Sequence, residues 1–389
     1  MNQRTNIHSV CDIKTGKLNS NAAKLDGRYP FFTCAPEPSR IDTFDFDEDA
    51  ILVAGNNADG NFHLNRFEGK FNAYQRTYIL TAKPGNDLDY IYYGLMLDLK
   101  VLRNQSQGSQ TKFLTMPILE NLELRKLGLK EQKKVVSVLK LIDEKISINT
   151  AIAKKMESLA KIHYEYWFRH FNFPDQNGAP YRDSGGKFVW NDELQHEIPE
   201  GWSVRKLSDL LQENSEKFSY DDANVDALDL SVMPSGSIVL DNRNSSDEFK
   251  TNLYKLKAGD LLFGSIRPYL LKGGISTFDG VVTGTVNSYR VKKPDDYNFC
   301  ALTLFSDLMF KFAITNSRGG TKMPVIKSER QLEFLLPYNQ DIVKKFQSLF
   351  SLSEVISSSV EENYRLKILK NWLLPMFMNG QVDFVGTEN

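Results

Sequence analysis

A chain of 389 residues with 41% apolar and 12% aromatic residues can bury two or three cores, which excludes an intrinsically disordered protein. The net charge of −1 excludes a global basic field, so any nucleic-acid surface has to be local. Three scattered cysteines (Cys11, Cys34 and Cys300) exclude a disulfide framework and a zinc cluster and fit a reducing cytoplasm.

The opening MNQRTNIHSVCDIK has no apolar run suited to a signal peptide, and nothing approaches the roughly 18 to 20 apolar residues of a membrane span. A cytoplasmic protein with no membrane association is expected. In chain order, short β-branched and aromatic runs bounded by Gly, Asn and Asp predict strands over Ile51–Leu80. A helix is predicted near Lys130–Phe168, where Val135, Leu139, Ile142, Ile146, Ala153 and Met156 follow three–four spacing and Asn149 interrupts the stripe. NFPDQNGAPYRDSGGKFVWNDELQHEIPEGW (Asn172–Trp202), rich in Pro, Gly and polar residues, reads as a connector. Strands return over Leu261–Val291. A second helix near Asp341–Met378 carries Ile342, Phe346, Leu349, Ile356 and Val360 on one stripe with Asn363.

The two halves repeat. Aligning Ile51 of FDFDEDAILVAGN with Leu261 of YKLKAGDLLFGSI sets an offset of 261 − 51 = 210. FEGKFNAYQRTYIL from Phe67 matches FDGVVTGTVNSYRV from Phe278, an offset of 278 − 67 = 211. DYIYYGLMLDL answers DYNFCALTLFSDL, QGSQTKF answers RGGTKMP, NLEL answers QLEF, and KKV at Lys133 answers KKF at Lys344. Order and offset together mark an internal duplication. Lys130–Trp167 would span roughly 57 Å as a helix, too long to bury its stripe inside one ordinary domain. The other helix is the natural partner, in a coiled-coil-like seam formed by Leu139, Ile142, Ile146, Asn149 and Met156 with Leu349, Ile356, Val360 and Asn363. Asn149 and Asn363 are candidates to meet across it.

Nucleotide-binding glycine fingerprints are absent, the five histidines share no neighbourhood, and no metal-ligand spacing occurs. Glu68-Gly69-Lys70 with Asp59 upstream superficially matches a metal-dependent nuclease, but FEGK reads as a hairpin turn. The chain therefore reads as a non-catalytic recognition protein. A stand-alone nuclease and a non-DNA assembly scaffold remain alternatives. Residues 60–83 carry Arg66, Lys70, Arg76 and Lys83 against Glu68 alone, and residues 264–293 carry Arg267, Lys272, Arg290, Lys292 and Lys293 against Asp279. Amides and hydroxyls are interleaved, a mixture suited to phosphates and base edges. With Lys112, Arg318 and Lys322 from the later repeated block, the candidate DNA-binding set is Arg66, Lys70, Arg76, Lys112, Arg267, Lys272, Arg290, Arg318 and Lys322. The acidic runs Asp42–Asp49 and Asp221–Asp229 should face away from DNA.

The central FNFPDQNGAPYRDSGGKFVWNDELQHEIPEGW, with LKEQKKV, LKAGDLLF and WLLPMFMNGQVDF, resembles the specificity subunits of type I restriction–modification systems, and the likeness runs from about Val10 to Phe384. The resemblance implies an α+β fold with two similar target-recognition domains, each a twisted sheet plus helices, separated by two long antiparallel helices under a pseudo-twofold repeat. The expected division is 1–126 first recognition domain, 127–170 first spacer helix, 171–205 connector, 206–337 second recognition domain, 338–380 second spacer helix and 381–389 tail. The resemblance also implies double-stranded DNA, two methyltransferase subunits and restriction subunits as partners. It places no cofactor on this chain and assigns S-adenosylmethionine, ATP and Mg²⁺ to those partners. Two departures stand out. The first half lacks an opening like IPEGWSVRKLSDL, so its start is expected to be truncated or divergent. PYNQDIVKK lacks the Glu131-Gln132 pair of the first helix, so partner docking is expected to be unequal.

Overall fold

The computed structural model describes residues 3–57, 62–105, 112–219, 224–319 and 322–382. The chain divides into two compact units, Met1–Glu144 with Lys367–Asn389, and Lys145–Leu366. Each holds a β-rich head and one end of each long helix. Among the described residues no single helix is long and apolar enough to cross a membrane.

In the first unit, strand Arg4–Asn6 pairs with Glu123–Arg125, and a four-residue helical turn (Ile7–Val10) is capped by the Asn6 side chain, which accepts from the Ser9 amide at 3.0 Å. A six-stranded sheet follows, in spatial order Cys11–Thr15, Thr77–Ala82, Phe46–Ala54, Leu64–Ala73, Tyr29–Phe32 and Ser39–Ile41. Ile51, Val53 and Leu80 face helix Leu88–Gln105, while Leu52, Phe71 and Ile79 fill a second core on the opposite face. That alternation is what period-two strands produce when both faces are covered.

The second unit repeats this order. Ser203–Lys206 pairs with Leu335–Tyr338, and a turn at Leu207–Leu210 leads into strand Leu211–Glu213. The first half thus has a counterpart of VRKLSDLL in RTNIHSVC, divergent in sequence and equivalent in pairing. The sheet itself differs. One four-stranded sheet runs Leu211–Glu213, Val286–Val291, Leu261–Gly264, Gly273–Ile275; another runs Asn244–Ser245, Asp226–Leu228, Gly280–Thr283, Leu253–Leu256. The two long central strands of the first head are each cut in two here, at 257–260 and 276–279. Carboxylates satisfy the freed amides: Asp260 Oδ2 accepts from Lys257 N at 2.9 Å and Asp279 Oδ1 from Ala258 N at 2.8 Å. In the first head the corresponding break is a single Gly69 with φ +118° inside an unbroken strand. FEGK is therefore strand interior and not a hairpin turn; Glu68 lies opposite Asp49, Lys70 opposite Asp47, and Asp59 falls outside the described residues.

The ladder also corrects the repeat register. Ile51 faces Leu80, and Leu261 faces Tyr289, so Leu80 corresponds to Tyr289 at an offset of 289 − 80 = 209, not 211. A two-residue slip leaves every side chain on its original face, so the sequence pattern cannot detect it.

The first long helix is continuous over Leu129–Tyr164 and closes with a π-turn at Glu165–Arg169. The second is not continuous. Helix Gln340–Gln347 stops, and helix Leu352–Asn379 begins after a break. Buried Asn298 holds that break: its Nδ2 donates to the Phe350 and Gln347 carbonyls at 2.9 and 3.3 Å, and its amide donates to Gln347 Oε1 at 2.8 Å. Leu349, expected on the seam, sits in the break at 44% exposure. The other seam residues lie inward: Leu139, Ile142, Asn149, Ile356, Val360 and Asn363 are buried, and Ile146 and Met156 partly so. In the first unit Val135, Val136 and Leu139 pack with Leu374, Phe377 and Met378, and Lys370 Nζ meets Asp143 at 2.6 Å. In the second, Asn363 reaches the Ile146 carbonyl and the Phe350 ring lies 5.2 Å from His163, so the helices run antiparallel. The Pro/Gly-rich connector is no loose tether. Phe171, Phe173, Ile198 and Trp202 join the second unit's core, and Phe188–Asn191 pairs with His196–Pro199.

Candidate nucleic-acid interface

Both heads build the same loop pair at the end of their central strand. In the first, Leu114 N donates to the Gly55 carbonyl at 2.9 Å, and Asn56–Asn57 pairs with Lys112–Phe113. In the second, Ile326 N donates to the Ser265 carbonyl at 2.9 Å, and Ile266 and Arg318 both bridge Val325. Phe113 therefore corresponds to Val325 and Lys112 to Pro324, one residue on from the alignment of QGSQTKF with RGGTKMP, which sets Lys112 against Met323.

The second loop pair is unusually constrained. Arg267 and Leu271 hold φ values of +51° and +52°, a left-handed conformation that costs energy for residues with a Cβ and persists where the surroundings impose it. The Arg267 amide donates to the Pro324 carbonyl at 2.8 Å and its Nε to the Lys322 carbonyl at 3.2 Å. The Leu271 carbonyl accepts from Gly236 N at 2.8 Å. This scaffold brings Arg267, Arg318 and Lys322 together, all exposed, beside exposed Tyr269 and Met323. An open pocket of about 590 Å³ continues along the same edge, lined in part by Asn316, Arg318, Lys327 and Arg330.

Other members of the expected set are engaged inside the heads. Arg66 Nε donates to Asp89 at 2.8 Å and NH2 to Asp49 at 2.8 Å. Arg290 forks onto Asp260 at 2.8 and 3.2 Å, and Asp260 is 2% exposed. Lys272 Nζ donates to the Leu230 carbonyl. These three are hydrogen-bonded within their heads, whereas Lys70 and Arg76 are exposed and lie over the Phe44 and Phe113 rings. The Lys112 side chain lies outside the described residues. Asp49, in an acidic run expected to repel DNA, is the partner of Arg66. Sequence reasoning passed over Asn56, Tyr269 and Lys327; Arg330, on the same edge, is held by Glu333 and Asn316. The signal available for Tyr269 was an aromatic beside Pro268 in a stretch otherwise reading as strand.

Residues 2–158 match the family described as "Type I restriction modification DNA specificity domain". The EcoDI specificity subunit of Escherichia coli is 26% identical over 373 residues, covering 91% of this chain and 82% of that relative. The chain is thus similar to type I restriction–modification specificity subunits, with the specificity domain itself matched over residues 2–158. The MjaIX specificity subunit of Methanocaldococcus jannaschii is 24% identical over 326 residues, covering 78% of this chain and 71% of its own. In fold, the chain is similar to the type I S subunit from M. genitalium, with a TM-score of 0.59 and 17% identity over 98% of this chain and 96% of the other.

Proposed function

We propose that this chain is a specificity subunit that selects a bipartite double-stranded DNA sequence for a cytoplasmic restriction–modification complex, residues 1–126 reading one half-site and residues 206–337 the other. The observation that carries this reading is the recurrence of one loop pair at one sheet position in both heads, with exposed Arg267, Arg318 and Lys322 in the second. Such cations anchor phosphates, and the neighbouring amides and aromatics reach base edges. In the first head Arg76, over the Phe113 ring of the loop pair, takes the corresponding role, while Lys70, opposite Asp47, lies toward the other end of the central strand. The helices at 127–170 and 338–380 act as the spacer, so half-site separation follows from helix geometry.

The same helices dock two methyltransferase subunits. On the first long helix, Ile148, Ile152, Leu159 and Ile162 recur at helical spacing on a face away from the seam and are 45–63% exposed. An apolar stripe of that kind marks a protein contact. The partners use S-adenosylmethionine to methylate adenine, and restriction subunits add ATP- and Mg²⁺-dependent cleavage. The test exchanges residues 1–126 for the head of another family member, coexpresses the chain with its methyltransferase subunit, and maps methylated adenines by long-read sequencing. One half of the motif changes and the other persists; a change in both halves refutes independent reading.

A further inference from the structure

Two carboxylates, one on each long helix, are bound by loops of the second head. Glu157 of the first helix is 6% exposed; its Oε2 accepts from Ser237 Oγ at 2.7 Å and its Oε1 from Ile238 N at 3.1 Å. Glu361 of the second helix accepts from Thr277 Oγ1 at 3.0 Å and from Arg243 NH2. Arg243 is the centre of this joint. Its side chain is 8% exposed, its NH1 donates to Asp226 Oδ2 at 2.7 Å, and its guanidinium lies between the rings of Phe278 (4.0 Å) and Tyr364 (3.8 Å). Asp226 and Phe278 belong to the head; Glu361 and Tyr364 belong to the helix.

A planar cation stacked on both faces and bonded in its plane to two carboxylates resists both translation and rotation. The first unit is joined by other groups, with no stacked arginine between head and helix among the described residues: Tyr93 Oη donates to Asp143 at 2.8 Å and the Asp87 amide to Gln132 Oε1 at 2.7 Å. Arg66 bonds Asp89 on a head helix, and the exposed Lys140 of the long helix lies 3.8 Å from the same carboxylate.

We propose that Arg243, with Glu157 and Glu361, is a positioning group that fixes the second head on the helix pair and thereby sets how strictly the spacer length is enforced. This rests on the bipartite reading proposed above. Each base pair added to a spacer moves a half-site by about 3.4 Å and turns it by about 35° around the duplex. Ala160, Tyr164, Ile356 and Val360 of the helices already pack in the second head's core, so the Arg243 clamp restricts the tilt that this apolar contact leaves free, and a head without the clamp can follow part of that displacement.

The experiment coexpresses the full chain with its methyltransferase subunit in a host lacking adenine methylation and maps methylated sites for the parent, Arg243→Met and Glu361→Gln. Arg243→Met keeps an apolar stem between the rings and removes both ion pairs. Both half-sites are expected to remain unchanged, while sites with a spacer one base pair longer or shorter rise from background to about a tenth of parental methylation, as a minor geometry becomes populated. A folded variant with spacing as strict as the parent's overturns the inference, and so does a change in the bases of the second half-site. If Arg243→Met does not fold by circular dichroism, Glu361→Gln decides by the same readout. A parent that yields no bipartite motif refutes the underlying reading instead, before any variant is compared.

Discussion

Asn149 Nδ2 donates to Glu362 Oε2 at 2.7 Å across the helix pair. Asn363, one residue on, turns the other way: its Nδ2 donates to the Ile146 carbonyl at 3.2 Å and to Thr150 Oγ1 at 3.1 Å. The two asparagines, candidates to meet on their shared stripe, do not bond each other. Each instead binds the opposite helix through partners the other does not use. Asn149→Ala and Asn363→Ala should each cost about 1 kcal/mol, the net value of one buried hydrogen bond. The double variant should be additive within about 0.5 kcal/mol, since no partner is shared. Urea unfolding of the full chain, followed by circular dichroism, measures all three.

The exposed and engaged cations should separate cleanly in DNA binding. Arg318→Ala and Lys322→Ala should each lower the slope of log affinity against log salt by about 1. Arg290→Ala should leave that slope unchanged and instead destabilise the second unit by about 2 kcal/mol, because Asp260 is left buried without its charged donor. Fluorescence anisotropy across a salt series, paired with thermal unfolding, tests both halves of the statement.

The two sides of the first long helix should respond oppositely. Ile152→Ser and Leu159→Ser, at exposed positions, should change stability by no more than about 0.5 kcal/mol and should weaken copurification of the methyltransferase subunit. Leu139→Ala, at 0% exposure, should cost about 3 kcal/mol through the cavity it leaves. Equal recovery of the methyltransferase with the two serine variants and the parent would remove the stripe from the docking surface.

Burial raises the Asp98 carboxyl to about 6, with Arg4 opposing the shift and Glu123 adding to it. Its Oδ2 is buried with no hydrogen-bond partner. The folded state therefore favours the neutral acid. The stability this contributes is fully present below the unfolded pKa near 4 and is lost as pH rises through about 6. Asp98→Asn should accordingly unfold at a higher temperature than the parent at pH 8, with the gap closing by about pH 4. Melting curves over that range check the sign.

Much of this architecture was legible in the residues themselves. Three–four spacing at Val135, Leu139 and Ile142 is set by helix geometry and needs no tertiary information. The order of the repeated blocks survived because each block encodes the same local element. Tertiary structure decided what local pattern leaves degenerate. A two-residue strand slip preserves the buried face, so only the ladder placed Leu80 opposite Ile51. The break at 348–351 depends on Asn298, about fifty residues away in sequence, offering its amide to two carbonyls. The fate of each arginine was likewise non-local. Arg66, Arg290 and Arg267 look alike along the chain, and only folding brought carboxylates to the first two and left the third exposed on a loop.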